Sequence, residues 1–233
     1  MSRNDLLRYL KDFHWNYLDV ANTVPAAPTA SSAVEQQASL TGSKPLAAVD
    51  LQGLSEALTG CRRCRLSQGR TQVVFGVGNP RARVMFIGEG PGADEDRLGE
   101  PFVGRAGQLL NAMLPSIGLK RADVYIGNVV KCRPPGNRDP EVDEVSTCIP
   151  FLHRQIELID PEVIVTLGRV AARHLLGTSA PISSYRGRWT RFAGRDVLPT
   201  FHPAYLLRSP AAKAQAWADL KLLRQRLEAA RSL

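Results

Sequence analysis

Two rhythms of apolar and polar residues run along this chain. Leu6, Leu7, Leu10, Phe13, Tyr17 and Leu18 recur at helical spacing, which predicts an amphipathic helix over residues 4–20. Residues 21–48 then lose almost all large apolar side chains and are dominated by Ala, Ser, Thr and Pro, the composition of a linker that cannot bury a core. Beyond it, buried-strand runs alternate with helical ones. Strands are predicted at 83–88, 123–130, 162–167 and, shorter, 197–200. Helices are predicted near 50–59, over 106–117 with Gly118 as its stop, over 141–159, over 169–176, and from Ser209-Pro210 to about Ala230. Pro150 should bend or split the third of these. The alternation predicts an α/β fold: an α/β/α sandwich with a central four-stranded parallel sheet, an N-terminal helical extension, and a body over 49–233. In such a sheet the ligand crevice lies beyond the C-terminal strand ends.

Composition narrows the class of function. Of 233 residues 44% are hydrophobic and 22% charged, ordinary globular usage. No apolar run reaches the ~18–20 residues that span a bilayer, and charges at Arg3, Asp5, Arg8, Lys11, Asp12 and Asp19 leave no secretory core. A soluble, cytoplasmic protein is the expectation. Thirty basic residues against 22 acidic ones give a net charge of +8, which favours a polyanionic partner, nucleic acid before membrane.

The four cysteines are too few for a disulfide scaffold, but their spacing is informative. Cys61-Arg-Arg-Cys64 sets two thiols on one tight turn, and Cys132 and Cys148 complete a four-ligand set. Cys61, Cys64 and Cys132 lie in loop-like stretches, which suits ligation better than core filling. Zinc and a [4Fe–4S] cluster both fit the spacing, and four buried thiols or a redox pair would be the plain alternatives.

Three segments at strand C-termini carry the unusual residues. The first is Gly88-Glu-Gly-Pro-Gly-Ala-Asp-Glu-Asp96, followed by Gly99-Glu-Pro-Phe-Val-Gly-Arg-Ala-Gly107. A dinucleotide fingerprint fits poorly here, because three acids at 94–96 would repel a pyrophosphate and Pro91 interrupts the turn. The glycines more plausibly let backbone wrap a flat, neutral ligand, with Phe102 as a stacking platform or else a core side chain. In the second, Val124-Tyr-Ile-Gly-Asn128-Val-Val, alternation puts an amide into an apolar stripe. A buried amide needs a partner, either a loop backbone or a ligand edge. The third is Phe201-His202-Pro-Ala-Tyr-Leu-Leu-Arg208, where Pro203 holds His202 extended. Leu206 and Leu207 read as exposed loop residues that either tuck back or wedge into a partner.

Together with Pro101-Phe-Val-Gly-Arg-Ala-Gly-Gln-Leu-Leu110 and Asn128-Val-Val-Lys-Cys-Arg-Pro-Pro135, these motifs resemble the iron–sulfur uracil-DNA glycosylases of bacteria and archaea, called family 4. The resemblance covers roughly residues 50–230. It implies a repair glycosylase that flips uracil from single- or double-stranded DNA and hydrolyses its N-glycosidic bond. It implies a [4Fe–4S] cluster on Cys61, Cys64, Cys132 and Cys148. It implies that Phe102 stacks on uracil, Asn128 reads its edge, His202 faces its O2, Gly90 and Gly92 line it, and Leu206 enters the emptied stack. Gly90 and Gly92 stand where the best-studied branch has an aspartate and a tyrosine, so Glu89 and Glu95, with Asp96 behind, are candidates for positioning water or stabilising the cation. Asp94 reads as a helix-start acid. Arg62, Arg63, Arg65, Arg70, Lys131, Arg133, Arg138 and Arg208 are candidates for phosphate contacts. No basic insertion with a histidine follows the second motif, so turnover rather than covalent capture is expected. A monomer is expected, with the N-terminal helix docking on the body or meeting a repair or replication partner. The alternatives are a non-catalytic iron–sulfur nucleic-acid-binding module and a zinc-stabilised nucleotide-binding adaptor.

Overall fold

The computed structural model describes residues 48–230. The N-terminal helix and the linker, apart from its last residue, lie outside the described residues. The first helix, α1 (Leu51–Glu56), starts where the Asp50 carboxylate accepts from the Gly53 N–H at 2.8 Å, an N-cap that satisfies one orphan donor. Strands β1 (Val77–Gly78) and β2 (Val84–Gly88) follow, the second buried along its whole length. Helix α2 (Ala93–Leu98) carries Asp94, Glu95 and Asp96 in its first turn, where negative charge meets the helix dipole. Then come α3 (Arg105–Met113), β3 (Tyr125–Asn128), α4 (Val142–Ile159), β4 (Val163–Leu167), α5 (Arg169–Leu176), α6 (Ile182–Tyr185), β5 (Thr190–Phe192), β6 (Arg195–Thr200), α7 (Pro203–Arg208) and α8 (Lys213–Ala229).

The strands form one six-stranded sheet in the order β1-β3-β2-β4-β6-β5. The four central strands are parallel, as their apolar runs predict for a sheet covered on both faces. The two edges, β1 and β5, are antiparallel additions that the sequence does not announce. Both are only two or three residues long, too short for a periodic signal. Gly118 ends the helical stretch in the left-handed conformation, as expected. Pro150 does not break α4, which runs on through it. Val145, Leu152 and Ile156 on that helix pack into the core beside Met85, Ile87 and Ile164, and this burial outweighs one forfeited helical hydrogen bond.

The largest departure concerns 203–208. This segment is a helix, with Pro203 at its first position and the His202 ring as its cap, and it packs against α3. The C-terminal ends of β2, β3 and β6 therefore meet at one edge of the sheet, bringing Gly88, Asn128 and Thr200 there with the segments that follow them.

Candidate active site

A cleft of about 400 Å³ opens at that edge, and Glu89, Phe102, Asn128, Asp139, His202 and Tyr205 are among the residues lining it. Asn128 is the last residue of β3 and is 2% exposed. Its side-chain oxygen has no hydrogen-bond partner among the described residues. A buried acceptor left unpaired costs ~1–3 kcal/mol, so this oxygen calls for a partner that the described residues do not supply.

Phe102 is buried beside it. A Cβ on Gly88 would lie 2.5 Å from the Asn128 amide oxygen and 2.6 Å from the Phe102 ring, so the strand end admits both only because it is glycine. Phe102 itself has φ +54°, a left-handed backbone that costs of order 1–3 kcal/mol for a non-glycine residue. Its loop is held from three sides. The Glu95 carboxylate accepts from the N–H groups of Gly92, Val103 and Gly104 at 3.1, 3.0 and 2.9 Å. Arg121 donates to the carbonyls of Pro101 (2.6 Å) and Phe102 (3.3 Å). Gly107 in α3 lets the Phe102 carbonyl approach so closely that a Cβ there would lie 1.8 Å from its oxygen. Glu95 lines the cleft but is thus spent on holding backbone, which leaves it poorly placed to orient a water.

The His202 ring lies 5.5 Å from the Phe102 ring at 34°. Its Nδ1 accepts from the Ala204 N–H at 3.1 Å, so the neutral ring carries its proton on Nε2. Burial, and then Arg208, pull its pKa down to about 4, so it is neutral at physiological pH. Glu89 follows β2 directly. Burial, with help from Asp139, pushes its pKa up to about 7, while Arg169 opposes. Arg169 itself donates to Asp139 at 2.5 Å. Asp96 faces away, its two oxygens accepting from the Thr71 N–H at 2.9 and 3.0 Å, and Asp94 sits in the first turn of α2 as expected. Gly90 and Gly92 line the cleft.

A second cavity is lined by all four cysteines, with Arg63, Arg70, Lys131 and Phe151 around them. Arg70 Nη1 donates to the Cys132 sulfur at 3.3 Å, and burial raises the Cys148 thiol to about 11. Among the described residues no three His, Cys, Asp or Glu side chains converge as ligands of a single ion.

Two of the expected DNA-contacting side chains are buried in this structure. Leu206 is 0% exposed, because the helical turn 203–208 directs it inward. Lys131 is 1% exposed, its Nζ donating to the Asn128 carbonyl (2.8 Å) and Gln155 Oε1 (2.5 Å), so its charge is turned inward, away from the surface. Others are committed to partners. Arg138 lines the cleft yet pairs with buried Glu144 at 2.7 Å, and Arg65 spans Glu141, Asp143 and Glu144. Arg133 donates to Asn137 Oδ1 at 2.8 Å. Arg62 and Arg208 are exposed, Arg208 on the cleft.

The sequence reading passes over Asp139 and Tyr205. Asp139 carries no local signal. Tyr205 has one: reading Pro203 as a helix N1 residue puts it one turn beyond His202, on the same face.

Residues 75–221 match the model of the uracil DNA glycosylase superfamily. The chain is 50% identical over 160 residues to the Type-4 uracil-DNA glycosylase of Thermotoga maritima, covering 67% of this chain and 82% of that protein. It is 45% identical over 181 residues to that of Archaeoglobus fulgidus, covering 73% and 90%, and 43% identical over 185 residues to that of Sulfurisphaera tokodaii, covering 75% and 84%. Fold, cleft and similarity lead to one conclusion: the chain belongs to the uracil DNA glycosylase superfamily.

Proposed function

We propose that this protein removes uracil from DNA, releasing the free base and leaving an abasic site. The observation that carries the reading is the unpaired side-chain oxygen of Asn128, a residue that lines one cleft with Phe102 and His202. A duplex base cannot reach such a cleft, so the nucleotide is extruded at a cost of a few kcal/mol. Stacking on Phe102 returns ~1–3 kcal/mol of it. The Asn128 oxygen accepts from uracil N3–H while its NH2 donates to O4. Cytosine presents the opposite pattern, and a site built on such hydrogen bonds rejects it strongly.

Breaking the glycosidic bond sends both electrons to the base, leaving a cationic sugar. The His202 Nε2–H donates to the departing O2, where negative charge builds mainly in the transition state. A neutral donor suits this role, since it stabilises the anion without giving up its proton. Ionised Glu89 accepts a hydrogen bond from the water that captures the sugar, and its charge also favours the cation.

The thiols of Cys61, Cys64, Cys132 and Cys148 fit a [4Fe–4S] cluster. Four sulfur donors ring one cavity, the donor set that such a cluster takes. Bound there, the cluster supplies a structural pin between the 61–70 and 131–138 loops. DNA is the partner through Arg208 and Arg62. No described helix is long and apolar enough to cross a membrane.

The test is incubation with uracil-containing and matched thymine-containing oligonucleotides followed by alkaline cleavage. Strand breaks confined to the uracil position are expected, with iron and a visible absorption band in the purified protein. DNA binding without any breaks would leave the non-catalytic module as the better reading.

A further inference from the structure

The Asn128 side-chain oxygen has no partner among the described residues, so no bond to that oxygen fixes its direction. Its aim depends on the backbone that carries it. Beyond β3 that backbone runs on beside the end of β2, the Val129 N–H donating to the Gly88 carbonyl at 3.0 Å and the Val130 N–H to the Glu89 carbonyl at 3.1 Å. These bonds hold one side of the segment. The carbonyl of Asn128 itself is held by the Lys131 Nζ, three residues ahead, at 2.8 Å.

Burying an ammonium to satisfy a carbonyl is costly unless its other donors are matched. Here Gln155 Oε1 accepts a second bond at 2.5 Å. Gln155 in turn donates through Nε2 to the Phe75 carbonyl at 3.0 Å and the Tyr125 hydroxyl at 3.2 Å, so this acceptor is itself fixed. The other end of the lysine is anchored at the second cavity. Lys131 lines it with the four cysteines, its backbone N–H donates to the Cys148 sulfur, and its carbonyl accepts from the Val74 N–H at 2.8 Å. One residue thus joins the cysteine site, helix α4 and the strand end that carries the amide.

We infer that Lys131 is a positioning residue for base recognition: from its anchorage beside the cysteines, its ammonium holds the Asn128 carbonyl and so sets the direction from which the Asn128 amide meets the uracil edge. The inference rests on the proposed uracil excision. A group displaced by about 1 Å from its working position can cost on the order of a hundredfold in rate, so a bond that fixes this peptide plane has a large effect to exert.

The experiment is a double-mutant cycle on single-turnover uracil release from a duplex, with Lys131→Met, Asn128→Ala and the two combined. Methionine keeps an unbranched apolar stem and removes the donor. Lys131→Met is expected to slow release roughly tenfold to a hundredfold. Once Asn128 is alanine it should add less than about twofold, because a residue that acts through the amide then has nothing left to position. A second readout needs no chemistry. Binding to a duplex carrying non-hydrolysable 2′-fluoroarabino-uridine should weaken about tenfold, with the matched thymidine duplex bound as before. Iron content should stay at the wild-type level. Gln155→Met, which takes away one of the two partners of the ammonium, should slow release in the same pattern, and it carries the test if Lys131→Met does not fold. Full rates in both variants, losses that add to that of Asn128→Ala, equal weakening on both duplexes, or rates that fall only in step with iron would overturn the inference. Wild-type protein that releases no uracil would refute the function itself and the inference with it.

Discussion

Glu89 gives the cleft a titration near neutrality that His202 cannot supply. Burial beside Asp139 lifts the Glu89 carboxyl to about 7, whereas burial holds His202 near 4, far below any working pH. If the ionised carboxylate orients water, the rate is lost as pH falls through 7 and levels off above it. Single-turnover rates from pH 5 to 9 should show that one ascending limb, and Glu89→Gln should slow release, abolish the limb and leave DNA affinity nearly unchanged. A limb that persists in Glu89→Gln assigns it to another group. At this scale much was legible from the chain. Phe102, Asn128 and His202 each follow or end a readable strand or glycine turn, and all three line one cleft. The task left to Glu95 was not readable, because it depends on three backbone N–H groups, two of them eight and nine positions further along the chain.

The elements around Phe102 work as a clamp. Helix α2 supplies Glu95, α3 supplies Gly107, and Arg121, which also donates to Asn111 of α3, holds the Pro101 and Phe102 carbonyls. Gly107→Ala raises helix propensity, yet its Cβ would fall 1.8 Å from the Phe102 carbonyl oxygen. The loop must move, so uracil excision should fall at least about a hundredfold while overpacking costs only ~1–3 kcal/mol of stability. Thermal unfolding beside single-turnover rates separates these two losses; an active Gly107→Ala protein would show that Phe102 tolerates displacement. The helix boundaries were readable to within a few residues, since caps and glycine stops are local signals. The short edge strands and the turn at 203–208 were not, because two to six residues carry too little periodicity to compete with their surroundings.

Over the whole molecule, the net charge of +8 is unevenly available to DNA. The acids at the start of α4 absorb Arg65 and Arg138, and Glu144, held down to about 2 by Arg138, stays charged at every working pH. Arg208 stands exposed at the cleft. Arg208→Ala should therefore reduce the log–log salt slope of DNA binding by about 0.9, the loss of one phosphate contact, whereas Arg65→Ala should leave the slope unchanged and lower stability. Fluorescence titrations across a salt series distinguish the two, and equal slope changes would mean that Arg65 leaves its carboxylates on binding DNA.

By itself the sequence determined the parallel four-strand core, the cysteine set and the three strand-end motifs, since each of these is written in the period or spacing of neighbouring residues. Tertiary packing decided which side chains face out. Leu206 and Tyr205 are adjacent, and only the docking of their helix on α3 buries one and leaves the other at the cleft. It likewise turned Lys131 inward to Gln155 and the Asn128 carbonyl. Such outcomes depend on partners far away in the chain, whose positions no local pattern records.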